Sequence, residues 1–501
     1  MSENITLLNL QNGSDVRGVA METEGGAPVN LTPDIAEQIA TAFSLWLADR
    51  TNKPANCLRI GVGHDSRLTA ETLKAAMITG FASQGASVFD CGLASTPAMF
   101  MGTVFDETGF DGSVMITASH LPQNRNGIKF FTKSGGVEKA DVTAILQRAE
   151  TPGAPTEPKA ASSGKAGSCE LMALYSAFLR KKIVDGAGGG ELPLQGMHIV
   201  VDAGNGAGGF FARDVLLPLG ADCEGSQFLE PDGNFPNHPP NPENKEAMQA
   251  ICGAVNAAKA DLGIIFDTDV DRMSAVLPDG TPVNRNAIIA LMSAVIAPDY
   301  PGATIVTDSV TSDLLTDFLQ ERLGLKHHCF RRGYRNVIGE AIRLNAGGIL
   351  SPLAIETSGH GALKENYFLD DGAYMAVRII SAAAKAKAAG KRLDSLLDGF
   401  TTSGFETEFR ITIIGEGFTE YGKKVLEAFA QRAEEQGLNI VPGFEGIRIS
   451  FSGKGWVLLR LSLHDPVLPM NIEANDATEG TALLQTAKEL LSGFDRLEFP
   501  E

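Results

Sequence analysis

Several kinds of feature are absent from this 501-residue chain. No apolar run reaches the length of a membrane-spanning helix, and the N-terminal segment MSENITLLNLQNGSD lacks the basic residues that begin a secretory signal. The six cysteines form no C-x-x-C pair, which disfavours a zinc site or a disulfide framework. These absences predict a cytoplasmic protein with reduced thiols and no membrane contact.

Positive charge is also scarce, since 42 lysines and arginines face 61 aspartates and glutamates, a formal net charge of -19. Such a surface disfavours binding to nucleic acids and to anionic membranes. Any site for an anion must therefore be built from local positive charge. Hydrophobic residues make up 44% of the chain, which is enough for the cores of several domains.

Three segments share one pattern, in which an apolar run is followed by small and acidic residues and then by helical periodicity. They are LRIGVGHDSRLTAETLKAAM, MHIVVDAGNGAGGFFARDVL and ATIVTDSVTSDLLTDFL. The pattern predicts an α/β fold with parallel sheets covered on both faces. A Pro-, Gly- and Ala-rich linker after Thr151 and a turn at LPDGTPVN suggest boundaries, and the last hundred residues read as a smaller α+β domain. We therefore expect domains at 1–153, 154–281, 282–396 and 397–501.

The segment ITASHLPQNRNGIKFF follows a predicted buried strand, SVMI, and places Ser119, His120 and Lys129 on a turn-rich loop. A serine here commonly caps a helix or its own turn. A serine-hydrolase elbow is excluded, because it needs glycines where Thr117 and Leu121 stand. The segment alone does not decide the role of the serine.

The segment ADLGIIFDTDVDRM places Asp267, Asp269 and Asp271 at the end of a predicted buried strand, Leu262 to Phe266. Three carboxylates so close repel one another unless a cation intervenes, and oxygen-only ligands favour Mg²⁺. The calcium-loop motif fails on spacing. A solvated acidic turn is the alternative interpretation.

Two further segments carry polar groups suited to a sugar phosphate. Glu356, Ser358 and His360 in AIETSGHGAL suit a polyhydroxylated ligand, although many polar surface loops look similar. In WVLLRLSLHDP, alternation on a strand would direct three side chains to one face as an anion site, with a polar edge strand as the alternative. These side chains are Arg460, Ser462 and His464.

These motifs, together with GHDSR and PDGNFPNHPPNPEN, occur in the order found in the α-D-phosphohexomutases, and the chain resembles that family from about Gly13 to Glu473. The resemblance implies four domains around a central cleft, three similar mixed α/β units and a smaller α+β C-terminal domain. It implies a phosphoserine at Ser119, with Mg²⁺ held by this serine and the aspartates 267, 269 and 271. The other roles that it implies are proton transfer by Arg17, Lys129 and His360, positive charge from His120 and Arg272, sugar binding by Glu356 and Ser358, and phosphate binding by Arg460, Ser462 and His464.

The resemblance implies interconversion of hexose 1-phosphate and hexose 6-phosphate, of mannose or glucose, with hexose 1,6-bisphosphate as intermediate and activator. The expected partners are small hexose phosphates, and the expected assembly is a monomer or homodimer. A phosphoglucosamine or other sugar-phosphate mutase, and a degenerate paralogue that binds sugar phosphates without catalysis, stay open.

The C-terminal loop departs from the family pattern R-x-S-G-T-E-P. Leu463 and His464 replace its glycine and threonine, and Pro469 stands near the place of a later arginine. Because a histidine adds charge only when protonated, we expect phosphate affinity to fall as the pH rises past about 7.

Overall fold

The computed structural model describes residues 6–151, 164–462 and 465–500. The chain divides into two compact units, Met1–Asn284 with Ser358–Ser395 and Arg285–Thr357 with Leu396–Glu501. Most of the linker expected after Thr151 lies outside the described residues. Strands and helices are numbered below along the chain.

The N-terminal part of unit 1 is a mixed sheet with the strand order β1-β2-β6-β5-β3-β4-β8, and β7 pairs with β6. The strands are β1 Gln11–Asn12, β2 Asp15–Val19, β3 Arg59–His64, β4 Ser87–Leu93, β5 Gly112–Ile116, β6 Arg125–Thr132, β7 Gly135–Gly136 and β8 Ala166–Ser168. The helices are α1 Pro33–Thr51, α2 Ala70–Ser83, α3 Thr96–Met101 and α4 Lys139–Glu150. Phe43 packs its ring against Phe81 and Phe130 in a fully buried core.

The expected parallel pairs are present in this sheet, which also contains antiparallel pairs. β3 pairs in parallel with β4 and β5, because helical connections carry the chain back across the sheet. β5 and β6 pair in antiparallel fashion, since only a short loop joins them. The end of the expected linker, Ala166–Ser168, adds an edge strand parallel to β4.

The next part of unit 1 has the strand order β12-β11-β10-β9. Its elements are α5 Leu171–Ala187, β9 Ile199–Asp202, α6 Lys245–Ala258, β10 Leu262–Phe266, β11 Met273–Val276 and β12 Pro282–Val283. β9 and β10 are parallel, whereas β10 and β11 are antiparallel and are joined by the acidic loop. The helical pattern after Asp202 forms a π-helix at Phe211–Leu216, and the LPDGTPVN turn joins β11 to β12.

Residues 285–395 contribute to both units. Their elements are α7 Asn286–Ile296, β13 Thr304–Thr307, α8 Asp313–Asp317, β14 Lys326–Cys329, α9 Tyr334–Ala346, β15 Leu353–Ile355, β16 Gly361–Leu363, β17 Leu369–Asp370 and α10 Gly372–Ala388. In unit 2, β13 pairs in parallel with β14 and β15. In unit 1, β16 and β17 form an antiparallel hairpin that leads into α10.

The C-terminal part of unit 2 is an antiparallel sheet with the order β19-β20-β21-β22-β18-β23. Its elements are β18 Phe405–Ile413, α11 Phe418–Glu435, β19 Asn439–Val441, β20 Ile447–Phe451, β21 Gly455–Leu459, β22 Val467–Ala474, α12 Ala477–Leu490 and β23 Leu497–Glu498. Sheet and helices share one apolar core, which includes Val425, Phe429 and Leu483. This confirms the expected α+β character.

Across the described residues, no helix combines the length and the apolarity that crossing a membrane requires.

Candidate active site

Ser119 stands just beyond the end of β5, where the chain leaves the sheet. Its backbone has a φ of 51°, in the left-handed region that few residues other than glycine adopt. The hydroxyl oxygen of Thr117 accepts a hydrogen bond from the Ser119 N–H at 2.8 Å and so supports this turn. The serine is 6% exposed, so the turn directs its side chain into a largely enclosed site.

The Ser119 hydroxyl group has partners of opposite charge. Arg272 donates to Ser119 Oγ from Nη2 at 2.9 Å, and Ser119 Oγ donates to Asp267 Oδ2 at 3.1 Å. His120 Nδ1 lies 3.4 Å from the same oxygen and also contacts Arg272. Burial, reinforced by the Arg272 charge, lowers the pKa of His120 to about 3. His120 is therefore neutral near pH 7, and Arg272 supplies the positive charge here.

Asp267, Asp269 and Asp271 lie on the loop between β10 and β11 and are at most 1% exposed. One carboxylate oxygen from each can be chosen so that all three lie within 4.8 Å of one another. Burial and the two neighbouring carboxylates raise the pKa of Asp267 well above its usual range. Oδ1 of Asp269 and Oδ1 of Asp271 are buried without a hydrogen-bond partner. Carboxylate oxygens without a hydrogen-bond partner are the ligands that a hard divalent cation such as Mg²⁺ prefers.

Lys129, on β6, reaches the same acidic loop. Its Nζ lies 3.1 Å from Asp269 Oδ2 and 2.5 Å from Asp271 Oδ2. Burial acts in the opposite direction, but the charges of Lys129 and His360 lower the pKa of Asp271 below its usual value. The lysine thus offsets part of the negative charge of the acidic loop.

His360 contacts the acidic loop from the segment before β16. Its Nδ1 lies 2.5 Å from Asp370 Oδ2 and 3.8 Å from Asp271 Oδ1. Gly359 has a φ of 91°, and a Cβ there would lie 2.6 Å from the carbonyl oxygen of Met273, so the close approach requires glycine. Burial favours the neutral imidazole, but Asp370 and Asp271 outweigh it and raise the pKa of His360.

Arg17, on β2, borders the serine loop. It donates to the carbonyl oxygen of Thr117 at 2.6 Å and to Asp15 Oδ2 at 2.8 Å. Unit 1 therefore brings together most of the residues that the sequence analysis selected, namely Arg17, Ser119, His120, Lys129, Asp267, Asp269, Asp271, Arg272 and His360. Ser358 belongs to the same unit and is 8% exposed.

The sequence analysis missed several polar residues around this group. Thr96 donates to Asp269 Oδ2 at 2.5 Å through its hydroxyl, and Asp370 pairs with His360. Asp370 stands beside Asp371 at the end of β17, and this acidic pair was the available signal. Thr96, within the unremarkable segment ASTPAM, gave none.

Glu356 belongs to unit 2 and is 3% exposed. Its Oε1 accepts a hydrogen bond from the Gly333 N–H at 2.6 Å. The neighbouring Arg332 N–H donates to Glu445 Oε1 at 2.9 Å. Residues 331–336 (RRGYRN) therefore contact both Glu356 and Glu445 within unit 2.

Arg460 lies just after β21 in unit 2. Its guanidinium group is 3.8 Å from Glu445 Oε1, 3.7 Å from Glu408 Oε2 and 3.3 Å from Asn471 Oδ1. The strand ends at Leu459, whereas the alternation argument assumed a strand that continues through Arg460, Ser462 and His464. The two glutamates are a further pair that the sequence analysis missed.

Backbone pairing nevertheless continues past Leu459. The Arg460 N–H donates to the carbonyl oxygen of Pro469, and the Ser462 N–H donates to that of Val467 at 3.0 Å. Ser462 Oγ accepts from the Asp465 N–H at 3.1 Å. His464 lies outside the described residues, so its place on this face stays a prediction.

Comparisons with known proteins identify the family of this chain. Three models of phosphoglucomutase/phosphomannomutase α/β/α domains match the chain, domain I at 9–154, domain II at 180–280 and domain III at 284–403. A phosphoglucomutase of Neisseria gonorrhoeae is 30% identical over 463 residues, which is 92% of each chain. The chain belongs to the phosphoglucomutase/phosphomannomutase family.

Other members of this family extend the match. A phosphomannomutase/phosphoglucomutase of Pseudomonas syringae pv. tomato is 30% identical over 470 residues, covering 93% of this chain and 91% of that one. The crystal structure of a family protein from Burkholderia thailandensis has a TM-score of 0.77 at 25% identity and covers 98% of both chains. The match confirms the expected family and the three α/β/α domains, followed by a sheet-rich C-terminal region. The domain boundaries set from the sequence stay predictions.

Proposed function

We propose that this protein is a phosphohexomutase that interconverts the 1- and 6-phosphates of glucose and mannose. The observation that carries the proposal is the setting of Ser119 Oγ, which lies 2.9 Å from Arg272 Nη2 and 3.1 Å from Asp267 Oδ2. A hydroxyl group between a guanidinium group and a buried acidic loop suits a phosphoryl carrier. Family membership supports the same reaction.

In the proposed reaction, Ser119 carries a phosphoryl group at the start. An oxygen of the bound sugar phosphate forms a bond to phosphorus while the bond between phosphorus and Ser119 Oγ breaks, which yields a hexose 1,6-bisphosphate. Transfer of the other phosphoryl group back to Ser119 Oγ completes the isomerisation. Arg272 and Lys129 supply fixed positive charge beside the transferring group, where electrostatic stabilisation contributes most.

Proton transfer accompanies each step, because the attacking hydroxyl group loses a proton and the oxygen that leaves phosphorus gains one. His360, Lys129 and Arg17 are our candidates, since all three reach the serine loop or the acidic loop. The Asp370 and Asp271 charges, acting against burial, raise the pKa of His360 and favour its protonated form. We therefore assign His360 the role of proton donor.

The aspartates 267, 269 and 271 would hold Mg²⁺ together with Ser119, since two of their buried oxygens have no hydrogen-bond partner. When bound, this ion supplies Lewis acidity that makes the phosphoserine a better phosphoryl donor. In unit 2, we assign Glu356 to sugar hydroxyl groups and Arg460 to the phosphate that does not react. Ser358 and Ser462, with His464, complete the proposed contacts.

A coupled assay tests the proposal. The purified protein is supplied with Mg²⁺, a trace of glucose 1,6-bisphosphate, and glucose 1-phosphate, mannose 1-phosphate or glucosamine 1-phosphate. We expect conversion of the glucose and mannose substrates to their 6-phosphates. Preference for glucosamine 1-phosphate would identify a phosphoglucosamine mutase, and binding without turnover of any substrate would identify a non-catalytic paralogue.

A further inference from the structure

Arg67, in the GHDSR segment, packs against the loop that carries Ser119. Its side chain is buried, and its guanidinium group donates to four backbone carbonyl oxygens of that loop. Nη2 reaches the oxygens of Ser119 at 2.5 Å and Leu121 at 2.6 Å. Nη1 reaches those of Pro122 and Arg125, both at 2.9 Å. One side chain therefore binds four carbonyl groups between Ser119 and Arg125.

The loop needs donors of this kind. Between β5 and β6 the backbone leaves the sheet, and buried carbonyl groups there must find partners outside the strand ladder. Ser119 has a φ of 51°, a conformation that is strained outside glycine and persists only when neighbouring contacts hold it. Because a guanidinium group is planar and rigid, four hydrogen bonds to it fix the relative positions of the carbonyl groups.

Arg67 is itself held in place from its own segment. Asp65 is fully buried, and its Oδ1 accepts a hydrogen bond from the backbone N–H of Arg67 at 3.0 Å. Its Oδ2 lies 3.5 Å from Arg67 Nε. The carboxylate thus orients the guanidinium group and balances its charge. Truncation of Asp65 alone would leave a buried cation with one fewer counter-charge.

A second loop, residues 231–240 (PDGNFPNHPP), closes over Arg67. The ring centroid of Phe235 lies 5.5 Å from the Arg67 guanidinium carbon. A Cβ on Gly233 would lie 2.5 Å from Leu68 N and 2.6 Å from Ser66 O, so only glycine allows this approach. The loop 231–240 therefore packs closely against residues 66–68.

The loop 231–240 is anchored at its other end by a contact between a histidine and an aspartate. His238 Nε2 lies 3.1 Å from Asp202 Oδ2, and both side chains are buried. His238 Nδ1 lies 3.0 Å from the carbonyl oxygen of Pro239. The anchor joins the end of β9 to the loop that covers Arg67.

We propose that Arg67 is a positioning residue for Ser119, which fixes the loop so that Oγ lies between Arg272 and Asp267, and that Phe235 and Gly233 hold Arg67 in this task. The inference rests on the proposed function, because the loop matters for turnover only if Ser119 carries phosphate. The hydrogen bonds of the Arg67 guanidinium group go to backbone carbonyl oxygens and not to the serine hydroxyl group.

The substitution Arg67→Lys tests the inference, because it keeps the charge and removes the planar set of donors. We expect kcat to fall roughly 10- to 100-fold, the loss typical of small misplacements of a reacting group. KM for glucose 1-phosphate should change by less than about threefold, since no substrate contact is removed. In Arg67→Ala, guanidinium chloride below denaturing concentrations should restore part of kcat, whereas matched NaCl should not.

Arg59→Lys is the matched control. Arg59 also donates to a carbonyl group, that of Thr108 at 2.8 Å, and also covers an aromatic ring, that of Phe89 at 4.4 Å. It does so away from the serine loop. We expect its substitution to leave kcat unchanged.

Amide hydrogen exchange gives a readout that does not depend on turnover. Exchange in Arg67→Lys should rise in peptides covering residues 117–125 and stay unchanged in β9–β12. Normal kcat and normal exchange in this variant, or a loss of kcat with faster exchange throughout unit 1 and no guanidinium rescue, would overturn the positioning role. A wild-type protein without turnover would instead overturn the proposed function, while exchange at 117–125 still reports on Arg67.

Discussion

The Ser119 hydroxyl group lies between an arginine and a buried aspartate, and this single oxygen is the centre of the proposed chemistry. Ser119→Ala removes the phosphoryl acceptor and donor while leaving the loop backbone in place. We expect kcat to fall by more than about 10³-fold in the coupled assay. Ser134→Ala, on the exposed turn after β6, is the control and should keep normal turnover.

The acidic loop makes a prediction of its own. Asp267→Asn removes one charged ligand, and we expect the Mg²⁺ affinity measured by calorimetry to fall at least about tenfold. Asp279→Asn, on the exposed β11–β12 turn, should leave this affinity unchanged. Full turnover by the wild-type protein in excess EDTA would show that the metal assignment is wrong.

At the scale of secondary-structure elements, Glu473 on β22 is a buried acid in unit 2. Its Oε1 accepts hydrogen bonds from Ser312 Oγ at 2.9 Å and from Trp456 Nε1 at 3.1 Å. Burial raises the pKa of Glu473 to about 7. The folded state therefore holds this proton more tightly than the unfolded state, whose glutamate loses it near its usual pKa of about 4.3. The resulting loss of stability begins as the pH rises past about 4.3 and is complete above about 7.

Glu473→Gln keeps the accepting oxygen and removes the charge. At pH 8 we expect this variant to unfold at a higher temperature than the wild-type protein. Its free energy of unfolding should be larger by about 1–3 kcal/mol. The advantage should shrink as the pH falls toward about 4.3. Calorimetric melting between pH 5 and 8 measures this difference in stability between the variant and the wild-type protein. Glu427→Gln, on the exposed face of α11, is the control. An advantage that is constant with pH would contradict the account.

The end of β21 supplies the prediction for phosphate binding. Arg460→Ala should raise KM about tenfold or more for every hexose phosphate alike, because we propose that the residue binds the phosphate and not the sugar. The change in kcat should be smaller. Arg496→Ala, whose guanidinium group donates to Ile414 O and Glu416 O in the same domain, is the control. A KM rise confined to one sugar would show that Arg460 reads the sugar.

Local patterns predicted the elements that carry the site. The apolar run Leu262 to Phe266 forms β10 over that same range, and the carboxylates follow it as expected. SVMI lies within β5, and Ser119 follows it on the loop. These features depend on neighbours in the sequence, which periodicity and turn residues describe well.

Other features depend on how strands pair. Asp370 meets His360 only when β16 and β17 form their hairpin, and Glu408 and Glu445 meet Arg460 only when separate strands pack together. Isolated acidic residues carry no local signal of such a partner. The sequence pattern did not predict the antiparallel pairs, since a helical pattern between strands says nothing about hairpins such as β5–β6 or β10–β11.

At the scale of the whole molecule, a chain with a net charge of -19 is proposed to bind doubly charged anions. Local charge resolves this conflict. Arg272, Lys129 and Arg17 lie by the serine and acidic loops of unit 1, and Arg460 and Arg332 lie together in unit 2. The expected domain boundaries and the expected monomer or homodimer stay predictions, which limited proteolysis and light scattering would test.

The central claim is that Ser119 passes its phosphoryl group to the sugar in every catalytic cycle. The most direct test loads the protein with ³²P from labelled glucose 1,6-bisphosphate, isolates it, and adds unlabelled glucose 1-phosphate with Mg²⁺ in a rapid-quench experiment. We predict that the label lies on the peptide containing Ser119 and moves to the sugar with a rate constant at least equal to kcat. Label that stays on the protein while turnover proceeds, or turnover by a protein that never acquires label at Ser119, would contradict the account.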